Sequence, residues 1–178
     1  MLWKYVSHPL AWIAAAIIAT AVAVVFWYVS QSTTPAVLRP EASAPAPGFS
    51  LPGVDGPPAS LSQFKGKVVL LNFWTTDCPP CVDQITALIR LRTRYPGDLV
   101  ILGIAVDTTE ARVRSAISNL NINYPVLLGD ADVANDYPGP GLPRSYLIDR
   151  EGRIRAVATA PLKDAYRYFF DAVAAVYR

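Results

Sequence analysis

Apolar residues gather in three kinds of stretch along this chain, and each kind predicts a different element. Leu10–Val29 carries no charged residue, and Thr20 is the one polar interruption. Twenty residues of helix span roughly the ~30 Å hydrocarbon core of a bilayer, so this run predicts a transmembrane helix. Val68-Val69-Leu70-Leu71-Asn72-Phe73 is apolar without strict alternation, the pattern of a strand buried on both faces of a parallel sheet. From Val82 onward apolar residues recur at helical spacing through Ile85, Leu88, Ile89 and Leu91. That helix is expected to stop near Tyr95-Pro96-Gly97-Asp98.

The rest of the chain is read by the same patterns. Phe49-Ser50-Leu51 leads into the turn formers Pro52-Gly53-Val54-Asp55-Gly56-Pro57 and predicts a short hairpin or edge strand. Leu99–Val106 reads as a second strand, and Ala111–Leu120 as a helix with Val113, Ile117 and Leu120 on one face. Tyr124–Leu128 reads as a third short strand and Gly129–Gly141 as loop. Ser145–Ile148 and Ile154–Val157 form a hairpin across the turn Asp149-Arg150-Glu151-Gly152. The last helix is expected over Leu162–Tyr177, with Leu162, Tyr166, Phe169, Phe170, Val173 and Tyr177 as its apolar stripe. This order predicts an α/β fold with a central mixed sheet flanked by helices, parallel first and closed by an antiparallel pair.

Ser30–Pro47 lacks periodicity and is rich in Ser, Thr, Ala and Pro, the composition of a semi-extended tether. The chain is therefore expected to comprise an N-terminal membrane anchor over 1–29, with its span at about 10–29, a linker over 30–47 and one domain over 48–178. Its 178 residues allow one domain with an appendage. Trp3 and Tyr5 before the span, and Trp27 and Tyr28 at its far end, stand where interfacial aromatics lie. Lys4 precedes the span and no charge follows it until Arg39, which places the N-terminus in the cytoplasm and the domain outside. A cleaved signal peptide is the competing reading. Its nearest small-residue triplet, Ala42-Ser43-Ala44, lies well beyond the apolar run, which favours an uncleaved anchor. A net charge of +2 with acids and bases interspersed gives no sign of a nucleic-acid partner. Arg90, Arg92 and Arg94 read as a solvated helix face.

Composition adds its chemistry through the only two cysteines, Cys78 and Cys81, placed where the buried strand gives way to the helix. At a helix start, unpaired N–H groups and the positive end of the dipole favour a thiolate, the form that attacks disulfides. Pro79 fits the first helical position, where a missing N–H costs nothing. Cys81, one turn on, is within reach of Cys78 and is expected to be the less exposed of the two. A zinc site needs two further Cys or His ligands, and the single histidine is His8. A purely structural disulfide closing so short a loop constrains little of the unfolded chain. Redox chemistry is the reading these residues favour, with no metal and no cofactor.

With these elements placed, the chain resembles the membrane-anchored thioredoxin-like thiol-disulfide oxidoreductases of the TlpA, ResA and DsbE (CcmG) type. The resemblance rests on Phe64-Lys65-Gly66-Lys67-Val68-Val69-Leu70-Leu71-Asn72-Phe73-Trp74 running into Cys78-Pro79-Pro80-Cys81, and on Gly141-Leu142-Pro143-Arg144-Ser145-Tyr146-Leu147-Ile148-Asp149. It implies a thioredoxin-like fold, with Cys78 as nucleophile, Cys81 as resolving thiol and the two together as a redox-active disulfide. It also implies a substrate-binding role for Trp74, Leu142 and Pro143, with the Leu142–Pro143 bond cis, and tuning of the pair by Asp77, Pro79 and Pro80. The implied protein sits by a single pass in the bacterial cytoplasmic membrane with its domain in the periplasm. There it would reduce disulfides of exported proteins, in cytochrome c or oxidase assembly, and be re-reduced by a membrane-embedded thiol donor of the DsbD or CcdA kind.

Three positions depart from the family pattern. Asp77 stands where the family commonly has Trp, and its carboxylate is expected to disfavour a Cys78 thiolate unless it points into solvent. Asn72 replaces the buried aspartate of thioredoxin and cannot titrate. Arg144 stands where the cytochrome c maturation branch carries Glu. The rival readings are a disulfide-forming thiol oxidase, a thiol peroxidase and a copper-delivery module. The peroxidase motif is met by Thr75 but not by Leu71, which stands where that motif has proline; a copper module of this fold uses wider cysteine spacing and a distant histidine.

Overall fold

The computed structural model of the chain describes residues 9–31, 37–38, 44–106, 108–159 and 164–177. Trp3, Lys4, Tyr5, His8, Arg39, Ala42, Ser43 and Leu162, on which expectations were placed, lie outside these residues. Two compact units are formed, Met1–Pro35 and Ala36–Arg178. The first holds α1 (Pro9–Gln31), a 23-residue helix. Its Trp12, Ile13, Ile17, Ile18, Val22, Val24, Val25 and Trp27 are exposed. Among the described residues no helix is long and apolar enough to cross a membrane. The helix expected over Leu10–Val29 forms, and its crossing of a bilayer is not shown.

The second unit is built on a six-stranded mixed sheet. Its strands are β1 (Val37–Leu38), β4 (Val68–Trp74), β5 (Leu99–Ala105), β6 (Val126–Leu128), β7 (Arg144–Ile148) and β8 (Ile154–Ala158), in the order β1-β8-β7-β4-β5-β6. β4, β5 and β6 run parallel, while β7 lies antiparallel to β4 and β8 antiparallel to β7. A separate two-stranded hairpin, β2 (Ser50–Leu51) with β3 (Ala59–Ser60), precedes the sheet. Within the stretch read as a linker, Val37 and Leu38 pair with Val157 and Ala158 as the short edge strand β1.

β4 is buried along its whole length, and its alternating residues supply two cores. Val68, Leu70 and Trp74 face one core together with Ile85, Leu88 and Leu91 of α2 (Pro79–Arg94), Val113 of α3 (Glu110–Leu120), and Phe169 and Val173 of α5 (Ala165–Val176). Val69, Leu71 and Phe73 face the other, covered by Leu51 of the hairpin and by Val133 and Tyr137. Val133 belongs to α4 (Ala131–Asp136), a helix inside the segment expected to be loop. Six residues are too few to show a helical period, and α4 starts because the Asp130 carboxylate accepts the Val133 N–H at 2.9 Å.

One surface expectation needs correction: Val82, expected at the head of the buried stripe of α2, is exposed, and the stripe begins instead with Cys81 and Gln84. Arg90 and Arg94 are exposed, as expected of a solvated face, and Arg92 is half-buried. The Arg90 guanidinium lies 4.3 Å from the Tyr166 ring centre and that of Arg94 lies 5.7 Å from Tyr95, while Arg92 donates to the carbonyls of Tyr95 and Pro96. Aromatic residues on α5 and at the end of α2 give these long side chains a surface to pack on.

Candidate active site

The end of β4 hands the chain to the cysteines through Thr75, Thr76 and Asp77. Cys78 is the N-cap of α2, in extended backbone conformation, and Pro79 follows as the first helical residue. Cys78 and Cys81 are joined by a disulfide, with an S–S distance of 2.06 Å and Cα atoms 5.2 Å apart. Cys78 is half-buried, whereas Cys81 is fully buried, which makes Cys78 the sulfur an incoming group can reach.

The first turn of α2 differs from what was expected of a helix start. Two of its first three residues, Pro79 and Pro80, have no N–H to offer. The third, Cys81, donates its N–H to the Cys78 carbonyl at 2.9 Å. A thiolate at Cys78 therefore keeps the helix dipole but not the usual set of free backbone donors. Asp77 also behaves differently from a lone carboxylate. It is exposed and forms an ion pair with Arg112 of α3, which offsets its repulsion of a neighbouring thiolate.

On the other side of the cysteines the Leu142–Pro143 bond is cis. Leu142 is half-buried and Pro143 buried. A groove of about 800 Å³ runs past Asp77, Cys78, Pro79 and Pro80 to Leu142 and Arg144, bounded by Ala134, Pro138 and Gly139. The structure thus brings Cys78, Leu142 and the tuning candidates to one cleft. Trp74 is not part of it. Its side chain is 1% exposed and packs beneath the sheet, where a Cβ on Gly103 would stand 3.2 Å from the Trp74 indole nitrogen. Trp74 cannot touch a substrate with its ring, and its contribution is structural, including a carbonyl that accepts the Val106 N–H.

Behind the cysteines lies a buried polar group that sequence reasoning did not assemble. Asn72 Nδ2 donates to Ser145 Oγ at 3.1 Å and to Gln84 Oε1 at 3.3 Å, and Gln84 Nε2 donates to the same Ser145 oxygen at 3.3 Å. All three residues are buried, and Asn72 Oδ1 has no hydrogen-bond partner. Gln84 follows Cys81 by three residues on the buried side of α2, so this neutral network occupies the ground next to the resolving cysteine. A polar residue inside the apolar stripe of α2 was the available signal for Gln84. Ser145 and Arg112 had none nearby, because their partners are distant in sequence.

The far side of the groove is organised by Arg144. Its guanidinium donates to the Ala134 carbonyl at 2.9 Å and to that of Gly139 at 3.5 Å, and it sits 5.1 Å from the Phe73 ring centre. Burial pushes the Tyr146 hydroxyl up from its ordinary value, with the Arg144 charge acting the other way. Tyr137 is pushed up further, by burial first and then by Asp136 and Tyr146. Both hydroxyls donate to backbone carbonyls, Tyr146 to Pro138 and Tyr137 to Pro47. Among the described residues no group of three or more His, Cys, Asp or Glu side chains is placed to hold a metal ion.

The chain matches the model of the AhpC/TSA family over residues 42–157. It is 28% identical over 149 residues to the thioredoxin-like protein YneN of Bacillus subtilis, covering 82% of this chain and 88% of that one. It is 31% identical over 122 residues to the thiol-disulfide oxidoreductase ResA of Bacillus subtilis, covering 67% of this chain and 68% of that one. Among solved structures, a thiol:disulfide interchange protein of the thioredoxin family from Chlorobium tepidum superposes with a TM-score of 0.69 at 29% identity, over 77% of this chain and 98% of that one.

Proposed function

Since the chain belongs to the AhpC/TSA family, and within it to the thiol-disulfide oxidoreductases of the TlpA, ResA and DsbE type, we propose that it works as a reductant of disulfides in exported proteins. The observation that carries this direction is the first turn of α2. Pro79 and Pro80 remove two N–H donors beside Cys78, and Cys81 spends its own on the Cys78 carbonyl. A strong thiol oxidant is one whose reduced form is stabilised, chiefly through its thiolate. A poorly solvated Cys78 thiolate makes the reduced form the less stable one and so a better electron donor. Arg144 works in the opposite sense, but its guanidinium is tied to carbonyls of the α4 segment rather than to the α2 turn.

In the proposed reaction the Cys78 thiolate attacks one sulfur of a substrate disulfide, forming a Cys78–substrate bond and expelling the other substrate sulfur as a thiolate. Cys81 then gives up its proton and attacks Cys78 Sγ, which releases the second substrate thiolate. The substrate has gained two electrons and the protein holds the Cys78–Cys81 disulfide. A dithiol donor must return those electrons, and a membrane-embedded one of the DsbD or CcdA kind fits an exported domain. A role in cytochrome c or oxidase assembly is part of the same reading. The neutral network of Asn72, Gln84 and Ser145 beside Cys81 leaves the proton of Cys81 to be taken by water or by the leaving thiolate. The peroxidase alternative is disfavoured by Leu71, which lies mid-strand and fully buried in β4, where a proline would interrupt the pairing with its neighbours.

The proposal extends to the N-terminal helix, read as an uncleaved single-pass anchor in the cytoplasmic membrane with the second unit on the periplasmic side. Its support is the uncharged run Leu10–Val29 and the Thr20 hydroxyl, which donates within the helix to the carbonyls of Ala16 and Ile17. Alkaline extraction should leave the full chain with the membrane pellet, and release into the supernatant would remove the anchor. For the direction of reaction, the pre-reduced full chain in mild detergent should reduce a disulfide-bonded test protein such as insulin. The oxidised chain should in turn fail to form disulfides in a reduced, unfolded one. Efficient disulfide formation with no reduction would make the protein an oxidase.

A further inference from the structure

Arg144 is a cation buried without a counter-charge. It is 9% exposed, its two hydrogen bonds go to neutral carbonyls, and its Nε has no partner. Among the described residues no carboxylate pairs with it. Carbonyl dipoles and the Phe73 ring solvate a guanidinium but leave its net charge in place. The segment around it is shaped for that charge. A Cβ on Gly139 would come within 3.2 Å of Arg144 Cδ, so glycine there lets the loop close over the side chain. Arg144 nevertheless lines the groove that Cys78 opens into.

Among the described residues that line the groove the only carboxylate is Asp77, and it is already paired with Arg112. Of the two charged side chains described on this lining, Asp77 is paired and Arg144 is not, which leaves a positive group in a concave, partly desolvated surface where fields are focused. We propose that Arg144 makes this cleft selective for substrates bearing an acidic residue beside the disulfide cysteine, the substrate carboxylate supplying the counter-charge the fold withholds. This rests on the oxidoreductase reading above and adds the class of substrate to it. A charge-assisted contact of this kind corresponds to roughly tenfold in rate or affinity.

The test uses the full chain in mild detergent, reduced at both cysteines, and three short peptide disulfides differing only in whether Asp, Asn or Lys flanks the cysteine. Single-turnover oxidation of the Cys78–Cys81 pair is measured with each. Rates are divided by those of free dithiothreitol with the same peptide, because a flanking charge alters the intrinsic reactivity of the disulfide. The Asp peptide should react about tenfold faster than the Asn peptide and the Lys peptide slowest, with the spread shrinking at roughly 0.5 M salt. Arg144→Gln should bring the Asp-to-Asn ratio to about one, while Arg144→Lys should keep most of it. The readout is a ratio, so a general loss from loosening the α4 segment cancels; if Arg144→Gln does not fold, the wild type at two salt concentrations and Arg144→Lys decide. Equal normalised rates in the wild type, or a preference that survives in Arg144→Gln, would overturn the selection while leaving the oxidoreductase intact. Failure of every peptide to oxidise the pair would overturn both.

Discussion

Replacing Asn72 with Asp changes almost no volume and tests whether the ground beside Cys81 is as dry as it looks. Asn72 is 0% exposed, and it donates to Ser145 and Gln84. A protonated aspartic acid has one donor where the amide has two, so one of these bonds is lost, at about 1 kcal/mol. Ionising it there is far more costly, because full burial raises a carboxyl by about 3–5 pH units, partly offset if Ser145 and Gln84 turn their donors toward it. With the native value raised and the unfolded one near about 3.9, the folded protein keeps a proton that the unfolded chain loses. The variant's stability is therefore fully present below about pH 4 and falls as pH rises toward the native value, by about 1.4 kcal/mol per unit. Between pH 4 and pH 7 the deficit of Asn72→Asp relative to wild type should grow by about 3–4 kcal/mol. Urea unfolding of the oxidised full chain in mild detergent, followed by near-ultraviolet circular dichroism at several pH values, measures it. A deficit that stays constant within about 0.5 kcal/mol over that range would mean the site is hydrated and the dry network is wrong.

Three further outcomes follow from the same geometry. Cys81→Ser should accumulate thiol-sensitive covalent complexes through Cys78, visible on non-reducing gels, while Cys78→Ser should form none; the reverse result would exchange the roles of the two cysteines. Arg112→Ala leaves the Asp77 carboxylate uncompensated beside Cys78 and should slow alkylation of the reduced protein at neutral pH by about two- to fivefold, with the rate restored in the Arg112→Ala, Asp77→Asn double variant. In alkali, burial first and then Asp98 push Tyr177 up to about 12, and burial also raises Tyr124. These tyrosines stay neutral in the fold when they ionise in the unfolded chain, so stability should be intact below about pH 10 and fall above it, less steeply in Tyr124→Phe; an unchanged slope in that variant would remove Tyr124 from the explanation.

Much of this fold could be read from residue order because its central elements are long and uniformly patterned. The apolar run of β4, interrupted only by Asn72, followed by the helical spacing of α2 located the cysteines at a strand-to-helix junction, and the turn at Asp149–Gly152 joined β7 to β8. The α4 helix escaped because a capped six-residue helix has too little length for a period. A substrate-binding role for Trp74 was implied by the family resemblance alone. Strand parity carried the opposite message, since Trp74 shares a face with Leu70 and points into the core beneath α2. The loss of free N–H groups at the helix start was written in Pro79 and Pro80, but the use of the Cys81 N–H needed coordinates. Arg112 and Ser145 stand 35 and 73 residues from the partners they meet, Asp77 and Asn72, and local pattern cannot reveal such contacts.

The central claim is that this oxidoreductase gives electrons to its substrates because the Cys78 thiolate is poorly stabilised. The most direct measurement is the reduction potential of the Cys78–Cys81 pair in the full chain, equilibrated against dithiothreitol or glutathione buffers. A value close to that of thioredoxin, about −270 mV, is the result this account predicts. A value near that of the strong oxidant DsbA, about −120 mV, would contradict it and make the protein a donor of disulfides.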